Sequence, residues 1–299
     1  LPMGKEENFK GVIDLLAMKA YVFKNDGSGS FETIDIPQEF AATASAYREK
    51  LVETAVEMND EVMERYLDGQ EITEEEVEKC LKEGVWARKI TPVLCGAATW
   101  NVGIQPLLDS VVKYMPPPTY KAEVEGIDPR NGNKITRKMS ASEPFSAYIF
   151  KTITDPFAGK LTLFKVYSGE IHPDMTVLNT ANDEKERIGQ IFWLVGKKQK
   201  SAGFASAGDI AVVAKLKAAG TGGTLCDEKN PIKYEEVKLA PPLISFSLHP
   251  KAKGDEDKLN MSLARLIEED KTIRYSRDEQ TREFILSGMG QVHIEVIVE

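Results

Sequence analysis

Apolar residues follow three different rhythms along this chain. In residues 1–36 they come in short runs. Gly11 to Phe23 is mostly apolar with β-branched and aromatic members, and Asn25 to Ser30 is a turn cluster, so strands joined by turns are predicted. From Pro37 the period changes. Tyr47, Leu51, Ala55, Met58, Val62 and Tyr66 recur at three- and four-residue steps, which predicts one long helix stopping at Gly69. Thr73 with Glu76 has the spacing of a capping box and starts a second helix that ends near Gly84. Lys89–Cys95 reads as a short buried strand and Gly96–Asn101 as a loop. Ile104, Leu107, Leu108, Val111, Val112 and Met115 form a helical stripe with Pro106 in its first turn. Such a strand, loop and helix make the last unit of an α/β domain, and Pro116-Pro117-Pro118 stiffens its exit.

Beyond the prolines the rhythm shortens to two. Phe145–Phe150 and Leu161–Tyr167 alternate, and turns recur at Asp155-Pro156, Ser168-Gly169, His172-Pro173-Asp174 and Ala207-Gly208-Asp209. Short strands at this spacing, without a competing helical stripe, predict a closed β-barrel. The last segment reads βαββα. Leu243–Leu248 is a strand, Leu259, Leu263, Leu266 and Ile267 mark a helix, Ile273–Ser276 pairs with Glu283–Leu286, and a helix starts after Gly290. Gly288 and Gly290 suit a positive φ or a close approach by a neighbour. The first of these helices ends on Glu268-Glu269-Asp270, against its own dipole, a broken local rule that marks a contact surface or tolerated surface charge. The predicted domains are therefore 1–118, 119–238 and 239–299: multi-domain α/β, all-β and α+β.

Composition narrows the functional classes. The 299 residues are 42% hydrophobic and 28% charged, as in ordinary globular domains. No apolar run reaches the roughly 18 residues of a membrane span, so no membrane partner is expected. Cys80, Cys95 and Cys226 are isolated, as are His172, His249 and His293, so neither a disulfide framework nor a metal cluster is expected and the cytoplasm is the expected compartment. Residues 39–83 hold 5 Lys/Arg against 14 Asp/Glu, a net of −9 that equals the whole chain's −9. This block is either a solvated helical face or a docking surface for a basic or polar partner. The chain opens on Leu1-Pro2 and reads as an excised internal fragment.

Several separated strings resemble translation elongation factor G, the bacterial ribosomal translocation GTPase. Pro2 to Leu15 resembles the start of the insertion in that family's GTPase domain, and Pro92 to Ala98 its last guanine-recognition element. Thr154–Leu161, Lys185–Gly189 and Gly222–Asp227 resemble its second domain. Pro250–Asp255 and Phe284–Glu295 resemble its third. The resemblance implies the end of a P-loop GTPase domain with its insertion, a translation-factor β-barrel and a truncated ferredoxin-like βαββα domain. The nucleotide-binding core and the C-terminal domains would lie outside the chain. Ala97 stands where the family has Ser, Gly223 where it has Asp and Lys271 where it has Pro, and Gly290-Gln291-Val292-His293 leans toward a paralogous branch.

The phosphate chemistry of a GTPase needs G-x-x-x-x-G-K-[ST], and no such string occurs. Ala158-Gly159-Lys160-Leu161 comes nearest, but Leu161 cannot ligate magnesium and Thr154 stands where the first Gly belongs. No Asn-Lys-x-Asp string is present either. The resemblance thus implies an intact parent that hydrolyses GTP with magnesium, and a chain that alone has no cofactor, metal or catalytic residue. It assigns Gly96, Ala97 and Ala98 to a guanine-loop remnant. Lys185, Arg187, Lys197, Lys198 and Lys200 become candidates for small-subunit ribosomal RNA, and Glu74, Glu75 and Glu76 for the ribosomal stalk protein. Gly288, Met289 and Gly290 become an interdomain or ribosome-facing turn, with His293 a packed or capping residue. The implied work is tRNA and mRNA translocation by a monomer. Ribosome protection or release-factor recycling by a related GTPase is the alternative, and an enzyme acting through the 96–101 loop or His293 is a third class.

Overall fold

The computed structural model describes residues 1–155, 158–196, 198–250, 252 and 254–299. Lys197 and, within the strings above, Pro156, Phe157, Lys251 and Lys253 lie outside the described residues. The fold divides into two compact units, Leu1–Pro117 and Pro118–Glu299.

In the first unit β1 (Pro2–Met3), β2 (Gly11–Asp14), β3 (Lys19–Phe23) and β4 (Phe31–Asp35) form an antiparallel sheet in chain order. The Asp14 carboxylate closes the β2–β3 turn by accepting the N–H groups of Leu16 and Ala17, at 2.8 and 3.2 Å. Arg48, from α1 (Gln38–Val56), donates to the Leu15 and Leu16 carbonyls of the same turn at 2.6 and 2.5 Å. The long helix expected from Pro37 to Gly69 is two helices. Asn59 accepts the Val62 N–H at 3.2 Å and starts α2 (Asp60–Leu67). An Asn side chain offers the backbone a cap where the apolar stripe alone gives no reason to stop. In α3 (Glu74–Trp86) the capping box forms as its spacing requires. Gly84 lies inside this helix because a Cβ there would sit 2.5 Å from Ile90 Cδ1.

The strand expected at 89–95 forms no ladder among the described residues. Its first two amides are already used, since Lys89 and Ile90 donate back to the Gly84 carbonyl and close α3. Val93 is 89% exposed, so the segment is not buried either. Helix α4 (Ile104–Tyr114) forms on the predicted stripe, but Leu108 and Val112 face solvent at 59% and 86%. It is held to α3 by Trp86 Nε1 donating to the Tyr114 carbonyl at 3.0 Å and by the Lys113–Glu78 ion pair.

The second unit opens with a hairpin, β5 (Glu123–Ile127) and β6 (Lys134–Lys138), that the alternation did not single out. Ten strands follow: β7 (Ser146–Asp155), β8 (Gly159–Ser168), β9 (Glu170–Ile171), β10 (Thr176–Asn179), β11 (Glu184–Arg187), β12 (Ile191–Val195), β13 (Lys198–Ala202), β14 (Ala205–Ser206), β15 (Ile210–Ala214) and β16 (Thr224–Cys226). Eight form one antiparallel sheet, ordered β11-β10-β16-β7-β8-β15-β12-β13, and β9 pairs with β14. Residues from both ends of that order, Val177 and Ile188 on one side and Ile191 and Ala202 on the other, share a core with Phe164, Val166 and Leu225. The sheet is therefore rolled on itself, while its ladder ends at β11 and β13 among the described residues. The barrel reading is met by side-chain packing rather than by a closed ring of hydrogen bonds.

Outside the roll, Tyr148, Leu178 and Cys226 pack with Val124, Met139, Ile232 and Tyr234. A buried hydroxyl chain stitches this layer: Tyr234 Oη meets Ser146 Oγ at 2.6 Å, Ser146 meets Ser168 at 2.6 Å, and Ser168 donates to the Pro144 carbonyl at 2.6 Å. Because the last step has a fixed direction, the chain satisfies every member when Tyr234 donates first. Burial, with smaller charge effects, pushes the Tyr234 phenol up to about 12, which keeps that proton in place.

Residues 244–298 supply β17 (Ile244–Leu248), α5 (Glu256–Glu269), β18 (Arg274–Arg277), β19 (Phe284–Gly288) and α6 (Gln291–Val298), the βαββα order read from the sequence. The sheet order is β17-β19-β18. Its core of Leu263, Ile273, Leu286 and Ile294 joins both helices to the sheet.

Candidate functional site

The loop after Cys95 is built by its own backbone. Ala97 and Val102 exchange both N–H···O bonds, at 2.9 and 3.1 Å, and Ala98–Trp100 make a single 3-10 turn. Two residues take the left-handed region to close it, Asn101 at φ 56° and Gly103 at φ 75°. At Gly103 a Cβ would stand 2.6 Å from the Cys95 carbonyl oxygen, so only glycine fits. Asn101 Nδ2 donates to the Gly27 carbonyl at 3.2 Å and ties the loop to the β3–β4 turn. Gly96 and Ala97 line an open cleft of about 590 Å³ with Lys5, Phe9, Thr99 and Trp100. Ala98 opens the 3-10 turn, where the first N–H groups have no acceptor within the turn.

The three consecutive glutamates of α3 are not equivalent. Glu74 and Glu75 are exposed on its first turn. Glu76 turns back, accepts the Thr73 N–H and Oγ1–H at 3.0 Å each and pairs with Arg65 at 2.5 Å. The Arg65 bond first, then those from Thr73, hold its carboxyl down at about 2. Glu76 is a structural cap, and Glu74 and Glu75 remain exposed.

The basic candidates of the roll lie on its two outer strands. On β11 Lys185 pairs with Glu228 at 2.8 Å and Arg187 with Asp174 at 2.9 Å. Between them Glu186 points inward and is 3% exposed. On β13 Lys198 and Lys200 are exposed, opposite Val195 and Trp193, and form no ion pair among the described residues. Those two carry unneutralised charge, whereas Lys185 and Arg187 are already matched.

At the glycine turn the reason for each residue differs from the expectation. Neither Gly288 nor Gly290 has a positive φ. Gly288 is a close-approach position, with His293 Nδ1 and Ile294 Cγ1 each 3.1 Å from a Cβ placed there. Gly290 is extended at φ −179° with open space around it, so nothing in the backbone demands glycine. His293 closes the turn: Nδ1 accepts the Met289 N–H at 3.1 Å and Nε2 lies 3.1 Å from Asp270 Oδ2. An accepting Nδ1 places the proton on Nε2, so the ring donates to Asp270. Asp270 also accepts the Thr272 N–H and Oγ1–H, at 2.8 and 2.5 Å. Burial opposes its charge, but the Thr272 and His293 bonds outweigh that and hold the carboxyl below its usual range.

The sequence reading did not name Lys160 or Thr154 as partners of the acidic end of α5. Lys160 meets Glu268 at 3.1 Å, and the Thr154 N–H donates to Glu269 at 2.5 Å. The run Glu268-Glu269-Asp270 was the available signal, and it marks a contact within the second unit.

Comparison with known proteins matches the same segments. Residues 144–228 match the family described as elongation factor G domain 2, and residues 239–299 match elongation factor G domain III. A crystal structure of a Thermus thermophilus protein superposes over 99% of this chain with a TM-score of 0.80 at 27% identity. The chain spans 42% of that solved chain. The rolled sheet and the βαββα element thus match domains II and III of elongation factor G. The chain is elongation-factor-G-like, with domains II and III in order.

Proposed function

We propose that this chain is the central part of a ribosome-dependent translational GTPase of the cytoplasm that promotes tRNA and mRNA translocation. In this reading residues 1–118 are the end of the GTPase domain with its insertion. Residues 119–238 are the barrel that rests on small-subunit ribosomal RNA, and residues 239–299 are a ferredoxin-like element. Gly96, Ala97 and Ala98 form the rim of the guanine site, Glu74 and Glu75 approach the stalk protein, and Lys198 and Lys200 meet RNA phosphates. The observation that carries the reading is the pair of domain matches in the elongation factor G order, on a chain that superposes on its solved relative over 99% of its length.

Phosphate transfer needs a cradle of backbone N–H groups, a lysine and magnesium ligands. None of its sequence strings occurs here, so GTP hydrolysis is assigned to the parent and ribosome contact with interdomain coupling to this chain. Calorimetric titration of GTP and GDP tests the assignment. The parent is expected to bind in the micromolar range and this chain to give no heat of binding. Saturable binding by the chain would locate a nucleotide site within it and overturn the division of labour.

A further inference from the structure

We infer that the acidic end of α5 is a mechanical relay, coupling the β7–β8 hairpin of the barrel to the Gly288–Gly290 turn of the following domain. Three carboxylates in a row face two ways. Glu268 and Glu269 grip Lys160 and the Thr154 N–H, which are directly opposite each other in the β7–β8 register. Two adjacent residues of one helix thus hold one cross-strand pair. Asp270, the next residue, turns the other way and holds His293 Nε2 at 3.1 Å, and the same ring holds the Met289 N–H at 3.1 Å through Nδ1. Apart from the covalent chain through residues 268–270, every link from the hairpin to the turn is a direct hydrogen bond or ion pair.

Placing these charges at a helix C-terminus is unfavourable against the dipole, since carboxylates there face unpaired carbonyls. The sequence keeps all three, and each has a specific partner. Asp270 is also the rigid member. Its other oxygen is pinned by Thr272, so a shift of the helix end moves the acceptor seen by His293 instead of being absorbed by a rotamer change. The imidazole has one free rotation about each side-chain bond, and losing the Asp270 bond loosens the ring that holds Met289. Gly288 allows the arrangement because a Cβ would crowd the ring at 3.1 Å. Movement of the hairpin is therefore felt at the turn without a change in either core.

Hydrogen exchange of the Met289 amide in the 299-residue chain reads the relay directly. His293→Ala removes the acceptor and raises that rate. Lys160→Glu and Glu269→Ala act only at the barrel end, and each is expected to raise it roughly two- to thirty-fold, the range by which mutations modulate site-to-site coupling. The buried Val212 amide in the barrel should keep its rate in both variants. The charge swap Lys160→Glu with Glu268→Lys restores slow exchange at Met289. Exchange at Met289 unmoved by the two barrel-end variants, with His293→Ala still effective, overturns the relay. So does a rise shared equally with Val212, or no response to His293→Ala.

Discussion

Glu186 Oε1 accepts the Ala218 N–H at 2.7 Å, deep in the barrel where the glutamate is 3% exposed. The same carboxylate takes the N–H groups of Ala219 at 3.0 Å and Lys217 at 3.1 Å. A charge in this position is satisfied entirely by backbone donors, and the 217–219 segment has its conformation set by one side chain from β11. Removing the carboxylate leaves three donors without an acceptor, a penalty of about 1–3 kcal/mol for each unsatisfied buried group before relaxation or water entry. Glu186→Ala is expected to lower the unfolding free energy by about 3 kcal/mol, and Glu186→Gln, which keeps one acceptor oxygen, by about half as much. Urea unfolding of the 299-residue chain measures both. Equal, small losses would mean that the segment is held by something else.

The capping box gives the helical unit a pH signature. The carboxyl of Glu76 titrates at about 2 in the folded chain, against an ordinary value of 4.5. A carboxyl depressed on folding contributes stability that is fully present above the unfolded value and is lost as the pH falls through the folded one. The window therefore lies between about 4.5 and 2. Thermal unfolding of the wild type should weaken across it, and Glu76→Gln should flatten that dependence while lowering stability near neutral pH. Thr73→Ala removes the other half of the box and should cost about 1 kcal/mol. An unchanged pH slope in Glu76→Gln would assign the acid sensitivity to other carboxylates, such as Asp128, which Arg130 likewise holds at about 2.

Three glycines separate backbone reasons from packing reasons. Alanine favours an exposed helix interior over glycine by up to about 1 kcal/mol. At Gly84 the methyl would meet Ile90 Cδ1 at 2.5 Å and Met58 Cγ at 2.9 Å, so Gly84→Ala should destabilise despite propensity. Gly288→Ala should destabilise less, since the His293 ring and Ile294 stand at 3.1 Å, and should shift the His293 resonances. Gly290→Ala meets open space in an extended backbone and should be neutral to folding. Melting curves of the three variants rank them. A neutral Gly84→Ala would refute the close-packing account of α3.

Periodicity made most of the second unit readable. The alternation of Phe145–Phe150 and Leu161–Tyr167 becomes β7 and β8, and the order βαββα is recovered element by element. Successive residues of these strands meet two cores in turn: Phe145, Ala147 and Ile149 pack inside the roll, while Tyr148 packs in the layer outside it. The errors fall where a single polar contact decides the outcome. Asn59 divides a stripe that continues smoothly through Met58 and Val62, because a cap needs one side-chain oxygen and leaves no periodic trace. Lys89–Cys95 has the composition of a buried strand, yet composition cannot supply a partner strand, and its first amides close α3 instead. At the candidate sites residue type was legible and pairing was not. Glu74, Glu75 and Glu76 look alike in the sequence, and only the third reaches Arg65. Lys185 and Lys198 look alike too, and among the described residues only the first finds a carboxylate.

The proposed contact is between the barrel and ribosomal RNA. Its most direct test is the salt dependence of binding to purified small ribosomal subunits, followed by fluorescence anisotropy of the labelled 299-residue chain. Each phosphate neutralised by a lysine adds roughly 0.7–0.9 to the slope of log affinity against log salt. Binding that weakens steeply with salt, and a slope reduced by about two in the Lys198→Glu, Lys200→Glu double variant, is the predicted result. A chain that does not bind at low salt, or whose slope is untouched by reversing both lysines, would contradict the account.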